Sequence, residues 1–201
     1  MPKTIAKLAD LFSEIPGIGP RQARRIVQFL LRADARYKKE LSTLIASVSS
    51  QVSQCAQCQR YDEVNTGNLC PLCADTHRDS TVLMVVEKDV DVESIEEAGV
   101  FKGRYFVLGS LIPLARQRKS AVSARTELLE GYLMGQKSIT EIVFAFATTP
   151  EGDYTAGELT SRIKTRFPKL KVSQLGRGLS LGAEIEYADQ ETLRNAFQGR
   201  H

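Results

Sequence analysis

Cys55-Ala56-Gln57-Cys58 and, after eleven intervening residues, Cys70-Pro71-Leu72-Cys73 contain every cysteine of this 201-residue chain. Each Cys-x-x-Cys pair makes a knuckle that aims two thiolates at one point. Two knuckles make a tetrahedral sulfur cage, the donor set that suits a structural Zn²⁺. The competing readings are two disulfides or four buried thiols. The stretch Met1–Phe12 is polar and amphipathic and no long apolar run follows it, so neither an export signal nor a membrane span is expected. A cytoplasmic, reducing setting follows, in which disulfides rarely persist. His77 lies four residues beyond Cys73; four sulfurs already fill the shell, and it reads as an ordinary polar residue.

Upstream of the cysteines the chain is basic and helical. Residues 1–54 carry nine Lys and Arg against four acids, a local charge of +5, whereas residues 55–80 sum to −2 and residues 81–201 to zero. The whole positive excess therefore sits in the first segment. Ile5, Leu8, Ala9 and Phe12 recur at helical spacing, as do Ala23, Ile26, Val27, Leu30 and Leu31. Between them lies Ile15-Pro16-Gly17-Ile18-Gly19-Pro20. The prolines stop helix continuation, the glycines permit a tight hairpin, and Pro20 suits the first position of a second helix. A Gly-x-Gly at a helix N-terminus bares backbone N–H groups that, with the helix dipole, can hold a DNA phosphate. Arg21 and Arg25 share one helical face beside Gly17 and Gly19. These four residues form the candidate DNA-binding set, with contact to phosphate independent of base sequence. The alternative is a plain helical turn that packs another helix. A third amphipathic helix, with Tyr37, Leu41, Leu44, Ile45, Val48 and Val52 on its apolar side, is expected to pack on the first two.

Downstream the period changes. Val82-Leu83-Met84-Val85-Val86 is a continuous apolar run, as in a buried parallel strand, and it ends at Glu87. There follow a helix over about 91–98 closed by Gly99, a strand at 105–108, a helix near 124–133, a strand at 142–147, a helix over 154–167 and a short strand at 171–175. This alternation predicts a small, mostly parallel sheet with helices on its faces. Ligands of such sheets bind beyond the carboxyl ends of the strands. Glu87, Glu151 and Asp153 are placed there, where three carboxylates could meet around Mg²⁺. The alternative is three solvated loop acids.

The order of these parts carries a resemblance. A helix–hairpin–helix, a four-cysteine zinc module and an acidic Toprim-like domain within about 200 residues resemble the RecR family of bacterial recombination mediators over essentially the whole chain. The stretches that carry it are Ile15–Pro20, the four cysteines, Val85–Glu87, Gly103–Leu108, Thr149–Asp153 and the Gly-rich Gly176–Asp189. The resemblance implies an α+β protein of several modules. These are a helix–hairpin–helix DNA-binding domain (1–54), a four-cysteine zinc finger (55–80), a Toprim domain (81–176) and a C-terminal oligomerisation segment (177–201). It further implies a non-enzymatic partner of RecO-like and RecF-like proteins that helps load recombinase onto single-stranded DNA at gaps and breaks. The protein would assemble as a dimer or a tetrameric ring around DNA, through its N-terminal helices and C-terminal segment, in the cytoplasm at the nucleoid. Arg21 and Arg25 would face the DNA. Glu87, Glu151 and Asp153 match acids associated with partner binding more than with catalysis. Two departures stand out: the loop containing Arg116, Arg118 and Lys119 is basic and poor in glycine, and Ser180 stands where the family tends to carry Pro. That loop reads as a solvated surface, with added phosphate contacts as the alternative.

Two rivals remain on the residues alone. A Mg²⁺-dependent Toprim nuclease would use Glu87 with Glu151 and Asp153, although Glu-x-Asp stands where such enzymes carry Asp-x-Asp, and neither Tyr132 nor Tyr154 lies in a nucleophile setting. A zinc-dependent interaction protein without DNA affinity would make no use of Arg21 and Arg25.

Overall fold

The computed structural model describes residues 2–64, 67–114, 119–176, 178–179 and 182–199. The chain forms two compact units, Met1–Gln51 and Val52–His201.

The first unit is helical: α1 (Lys3–Ser13), α2 (Pro20–Arg32) and α3 (Ala35–Gln51). α1 and α2 form the expected hairpin, with Ala9, Ala23 and Val27 buried between them. α3 departs from expectation, because it buries no residue. Leu44, Ile45 and Val48 are each more than half exposed. Its start is capped by Asp34, whose carboxylate accepts the Tyr37 N–H at 2.7 Å, and Phe29 and Tyr37 meet edge to face at 5.6 Å. The apolar stripe is real, and among the described residues it stays exposed.

The second unit opens on a two-residue hairpin, β1 (Ser53–Gln54) paired antiparallel with β2 (Tyr61–Asp62), and a short helix α4 (Pro71–Ala74). Then β3 (Val82–Val86), α5 (Asp89–Ala98), β4 (Arg104–Val107), α6 (Lys119–Gly135), β5 (Glu141–Ala145), α7 (Pro150–Arg166) and β6 (Lys171–Gln174) alternate as expected. The four strands lie in the order β4-β3-β5-β6, and every pairing is parallel. Alternate residues of the strands feed two cores. Leu83, Val85, Phe106, Ile142 and Phe144 pack under Leu129, Leu159 and Ile163 of α6 and α7. Met84, Val86, Tyr105 and Val107 pack with Val92 and Ile95 of α5. This two-sided burial is why the first strand reads as an unbroken apolar run. Gly99 closes α5 in the left-handed region, φ +66.

α7 begins at Pro150, four residues before the expected start. Thr149 caps it by accepting the Gly152 N–H at 3.1 Å, and Pro150 fills the first helical position. A 3₁₀ turn (Ile185–Tyr187) and α8 (Gln190–Gln198) end the chain, with Asp189 accepting the Thr192 N–H at 2.8 Å. Arg116, Arg118, Ser180 and the Lys119 side chain lie outside the described residues. No helix among the described residues is long and apolar enough to cross a membrane.

Candidate metal centre and nucleic-acid interface

The four cysteines converge. Their Sγ atoms all lie within 4.8 Å of one another, and Cys58 and Cys70 Sγ are 3.6 Å apart. Four sulfurs each about 2.3 Å from one tetrahedral ion stand roughly 3.8 Å apart, so the cluster has the dimensions of a filled cage. No disulfide links them. Each knuckle is shaped by its own backbone. In the first, the Gln59 N–H reaches back to Cys55 O at 3.0 Å, with Gln59 in the left-handed region at φ +64. In the second, Pro71 starts α4, and the Cys73 and Ala74 N–H groups both turn back to Cys70 O. The Cys70 N–H points at Cys55 Sγ, 3.4 Å away, a contact that favours thiolate. Cys55, Cys58 and Cys70 are buried and Cys73 half-buried, within a shell of Val64, Leu69 and Leu72.

Contact with Cys55, then with Cys70, holds the Cys58 thiol above its usual pKa. Cys73 is raised by Cys55, Cys58 and Cys70 in turn. Crowded sulfurs in an apolar shell give up their protons when a cation takes their place. The residues therefore fit a soft, tetrahedral metal ion, and among the described residues they are the only group of three or more potential ligands that gathers this closely.

Glu87, Glu151 and Asp153 do not gather in that way. All three stand at the carboxyl edge of the sheet, and β3 and β5 flank the point where the strand order reverses. Glu87 turns to Lys88 Nζ, 3.4 Å away. Glu151 and Asp153 occupy the first turn of α7 rather than a loop, and side chains two apart on a helix do not face each other. Gly152 between them is required by packing, since a Cβ there would run into the carbonyl oxygen of Ala147.

The nucleic-acid candidates lie together at the start of α2. Gly17 takes the left-handed turn at φ +83. Gly19 is the N-cap, with no side-chain cap, and the Ala23 N–H bonds to Gly19 O at 3.0 Å. Without a capping side chain, the first turn of α2 keeps backbone donors for an incoming anion. A groove of about 970 Å³ runs along the helix, lined by Arg21, Arg24, Arg25 and Arg32 with Gln28 and Phe29. Arg24, Arg32 and Phe29 line the same groove as the sequence-predicted Arg21 and Arg25. The signal is present in the sequence, since positions 21, 24, 25, 28, 29 and 32 form one stripe at helical spacing. An exposed aromatic among arginines suits a base stacked beside its phosphate.

Comparison with known proteins agrees with this layout. Residues 81–176 match the Toprim domain family and residues 178–201 the RecR C-terminal family. The chain is 38% identical to the recombination protein RecR of Dehalococcoides mccartyi, across 98% of this chain and 93% of that one. It is 38% identical to RecR of Streptomyces coelicolor, covering 98% and 95%, and 34% identical to RecR of Amoebophilus asiaticus, covering 98% and 96%.

Proposed function

This chain belongs to the RecR family of recombination proteins, and on that premise we propose that it serves recombinational DNA repair as a DNA-binding mediator rather than as an enzyme. In this reading it works with RecO-like and RecF-like partners to load recombinase onto single-stranded DNA at gaps and breaks. Two to four copies close around DNA as a clamp, in the cytoplasm at the nucleoid. One structural Zn²⁺ per chain sits among Cys55, Cys58, Cys70 and Cys73; a sulfur-only, closed tetrahedral set favours zinc over harder cations.

The observation that carries the DNA reading is the uncapped N-terminus of α2 beside its four-arginine groove. It offers backbone donors, a helix dipole and fixed positive charge to a phosphate. Support for assembly comes from exposed apolar side chains: Leu44, Ile45 and Val48 on α3, and Ile185 and Tyr187 near the C-terminus.

The test is a binding titration of Arg21→Glu/Arg25→Glu over several salt concentrations. Weaker binding is expected, with a log–log salt slope shallower by roughly 1.4 on single strands or 1.8 on duplex. Unchanged binding would instead favour a zinc-dependent interaction protein. The nuclease alternative is tested with labelled DNA and Mg²⁺ or Mn²⁺. No cleavage is expected, and cleavage abolished by Glu87→Ala would establish metal-dependent catalysis at Glu87, Glu151 and Asp153.

A further inference from the structure

We propose that the cysteine module is also the cap on the open edge of the Toprim sheet, so that metal occupancy and the order of edge strand β4 are coupled. The inference rests on reading the cluster as a metal site and adds what that metal does for its neighbour.

Among the described residues the strand order leaves one side of β4 without a strand partner. An uncovered edge is a row of unpaired N–H and C=O groups open to a foreign strand. In a strand, successive N–H groups point to opposite sides. The Leu108 N–H donates inward, to Val86 O at 2.9 Å, so the Val107 N–H points outward. Its acceptor is the carbonyl of Cys58, at 2.8 Å. At the other end of β4, Arg104 Nη1 donates to the carbonyls of Leu72, at 3.1 Å, and Cys73, at 2.9 Å. Cys58 belongs to the first knuckle, and Leu72 and Cys73 to the second.

The two knuckles thus grip the edge strand at two points three residues apart. A shared metal would fix the spacing between those points. Leu72 strengthens the joint, because it packs both against the cysteines and against the core under α5. The chain leaving the second knuckle continues the cover: the Asp79 N–H donates to Lys102 O at 2.9 Å, and Arg78 Nε to Gly103 O at 2.8 Å. Beyond β4, the Gly109 N–H donates to Glu87 O at 2.8 Å. The edge strand therefore runs from the metal module to the backbone of the first Toprim acid.

Coupling of this kind is reciprocal: whatever the metal contributes to β4, β4 contributes to metal affinity. Arg104 is a positioning residue here and touches no metal. Its removal frees the second knuckle from the sheet, and Arg104→Ala is expected to weaken zinc binding by about tenfold. Arg162, on the outer face of α7 and paired with Glu130, serves as a control.

The experiment uses the full chain purified with zinc. Hydrogen exchange is followed on peptides covering 104–108, 53–60 and 141–145, before and after the metal is stripped with a chelator. Chelator competition then gives the zinc affinity of the wild type, Arg104→Ala and Arg162→Ala. Stripping is expected to speed exchange at 53–60 and 104–108 while β5 stays protected, and Arg104→Ala alone is expected to bind zinc more weakly. If the stripped protein loses protection in β5 as well, the affinity comparison decides. The proposal is overturned if zinc is bound one to one and Arg104→Ala holds it as tightly as the wild type, or if β4 stays protected without metal. Elemental analysis finding no zinc overturns the metal reading, and this inference with it.

Discussion

The helical unit and the α/β unit use the same raw material, amphipathic and apolar segments, with opposite results. Among the described residues of Met1–Gln51 only Ala9, Ala23 and Val27 are buried, while Leu11, Phe29, Leu31, Leu44, Ile45 and Val48 stand more than half exposed. In Val52–His201, Leu83, Val85, Val86, Phe106, Ile142 and Leu159 are wholly enclosed. The α/β unit brings its own cover, helices for both sheet faces and the cysteine module for an edge. Among the described residues the helical unit leaves most of its large apolar side chains exposed. An apolar pattern announces that a face is destined for burial, not what will bury it.

The strongest way to break this contrast is to remove the metal cage. Cys58→Ser should abolish stoichiometric zinc and destabilise the α/β unit by roughly 5 kcal/mol, since metal binding free energy in such modules is folding free energy. Denaturant melts with elemental analysis check it. A stable, zinc-free variant would show that the cluster is an ordinary thiol core.

The contrast between cores comes next. Phe106→Ala removes a fully buried ring that packs near Tyr132 and should cost about 4 kcal/mol. Leu44→Ala, at a position 55% exposed, should change single-chain stability by less than about 0.5 kcal/mol. Its effect should appear instead in the oligomer distribution measured by light scattering. Equal losses of stability at both positions would erase the distinction between the units.

A smaller effect belongs to the joint between the cysteine module and α5. Arg78 grips Glu96 through Nη1 and Nη2, at 2.9 and 2.7 Å, and the Tyr105 O–H donates to the same carboxylate at 2.7 Å. Arg78 is the main cause, and the Tyr105 hydroxyl a lesser one, of a Glu96 pKa below its usual value. A depressed folded-state pKa gives stability that is complete above the unfolded glutamate value of about 4.3 and is lost as pH falls through the folded value. Glu96→Gln should therefore cost about 2 kcal/mol at neutral pH. It should also flatten the loss of stability below about pH 4.3. Melts at pH 7 and 3 test both parts.

What was legible in the sequence follows from where the information sits. Val82–Val86 declared a two-sided strand, and Pro16–Pro20 a hairpin, because local residue chemistry fixes both. The cysteines declared a cage because their side chains do the binding. The edge cap was invisible, since it is made of the Cys58, Leu72 and Cys73 carbonyls, which every residue owns. The Arg78–Glu96 pair joins positions eighteen residues apart with no motif between them. The expected helix start at Tyr154 placed Glu151 and Asp153 before the helix, whereas Thr149-Pro150 begins it and puts both acids in the first turn of α7, two positions apart.

The finest test lies inside the helical unit, where the two glycines of the hairpin do different work. Gly17 sits at φ +83 with open space around it, so Gly17→Ala should be penalised by backbone strain alone, about 1 kcal/mol. Gly19 has an ordinary extended backbone, φ −78, and a Cβ there would meet nothing within 4 Å. Gly19→Ala gives up the N-cap preference for glycine over alanine, roughly 1 kcal/mol, but regains about 0.4–1 kcal/mol by restricting the unfolded chain at an ordinary backbone angle, so its net cost should be small. The new methyl group would nevertheless stand beside the backbone donors of α2. If those donors hold phosphate, Gly19→Ala should lower DNA affinity several-fold while its melting temperature stays near that of the wild type. Arg21→Glu/Arg25→Glu would show the same separation of binding from folding. Should Gly19→Ala bind DNA as well as the wild type does, the arginine groove holds the phosphates without the helix terminus, and the Gly-x-Gly serves the turn only.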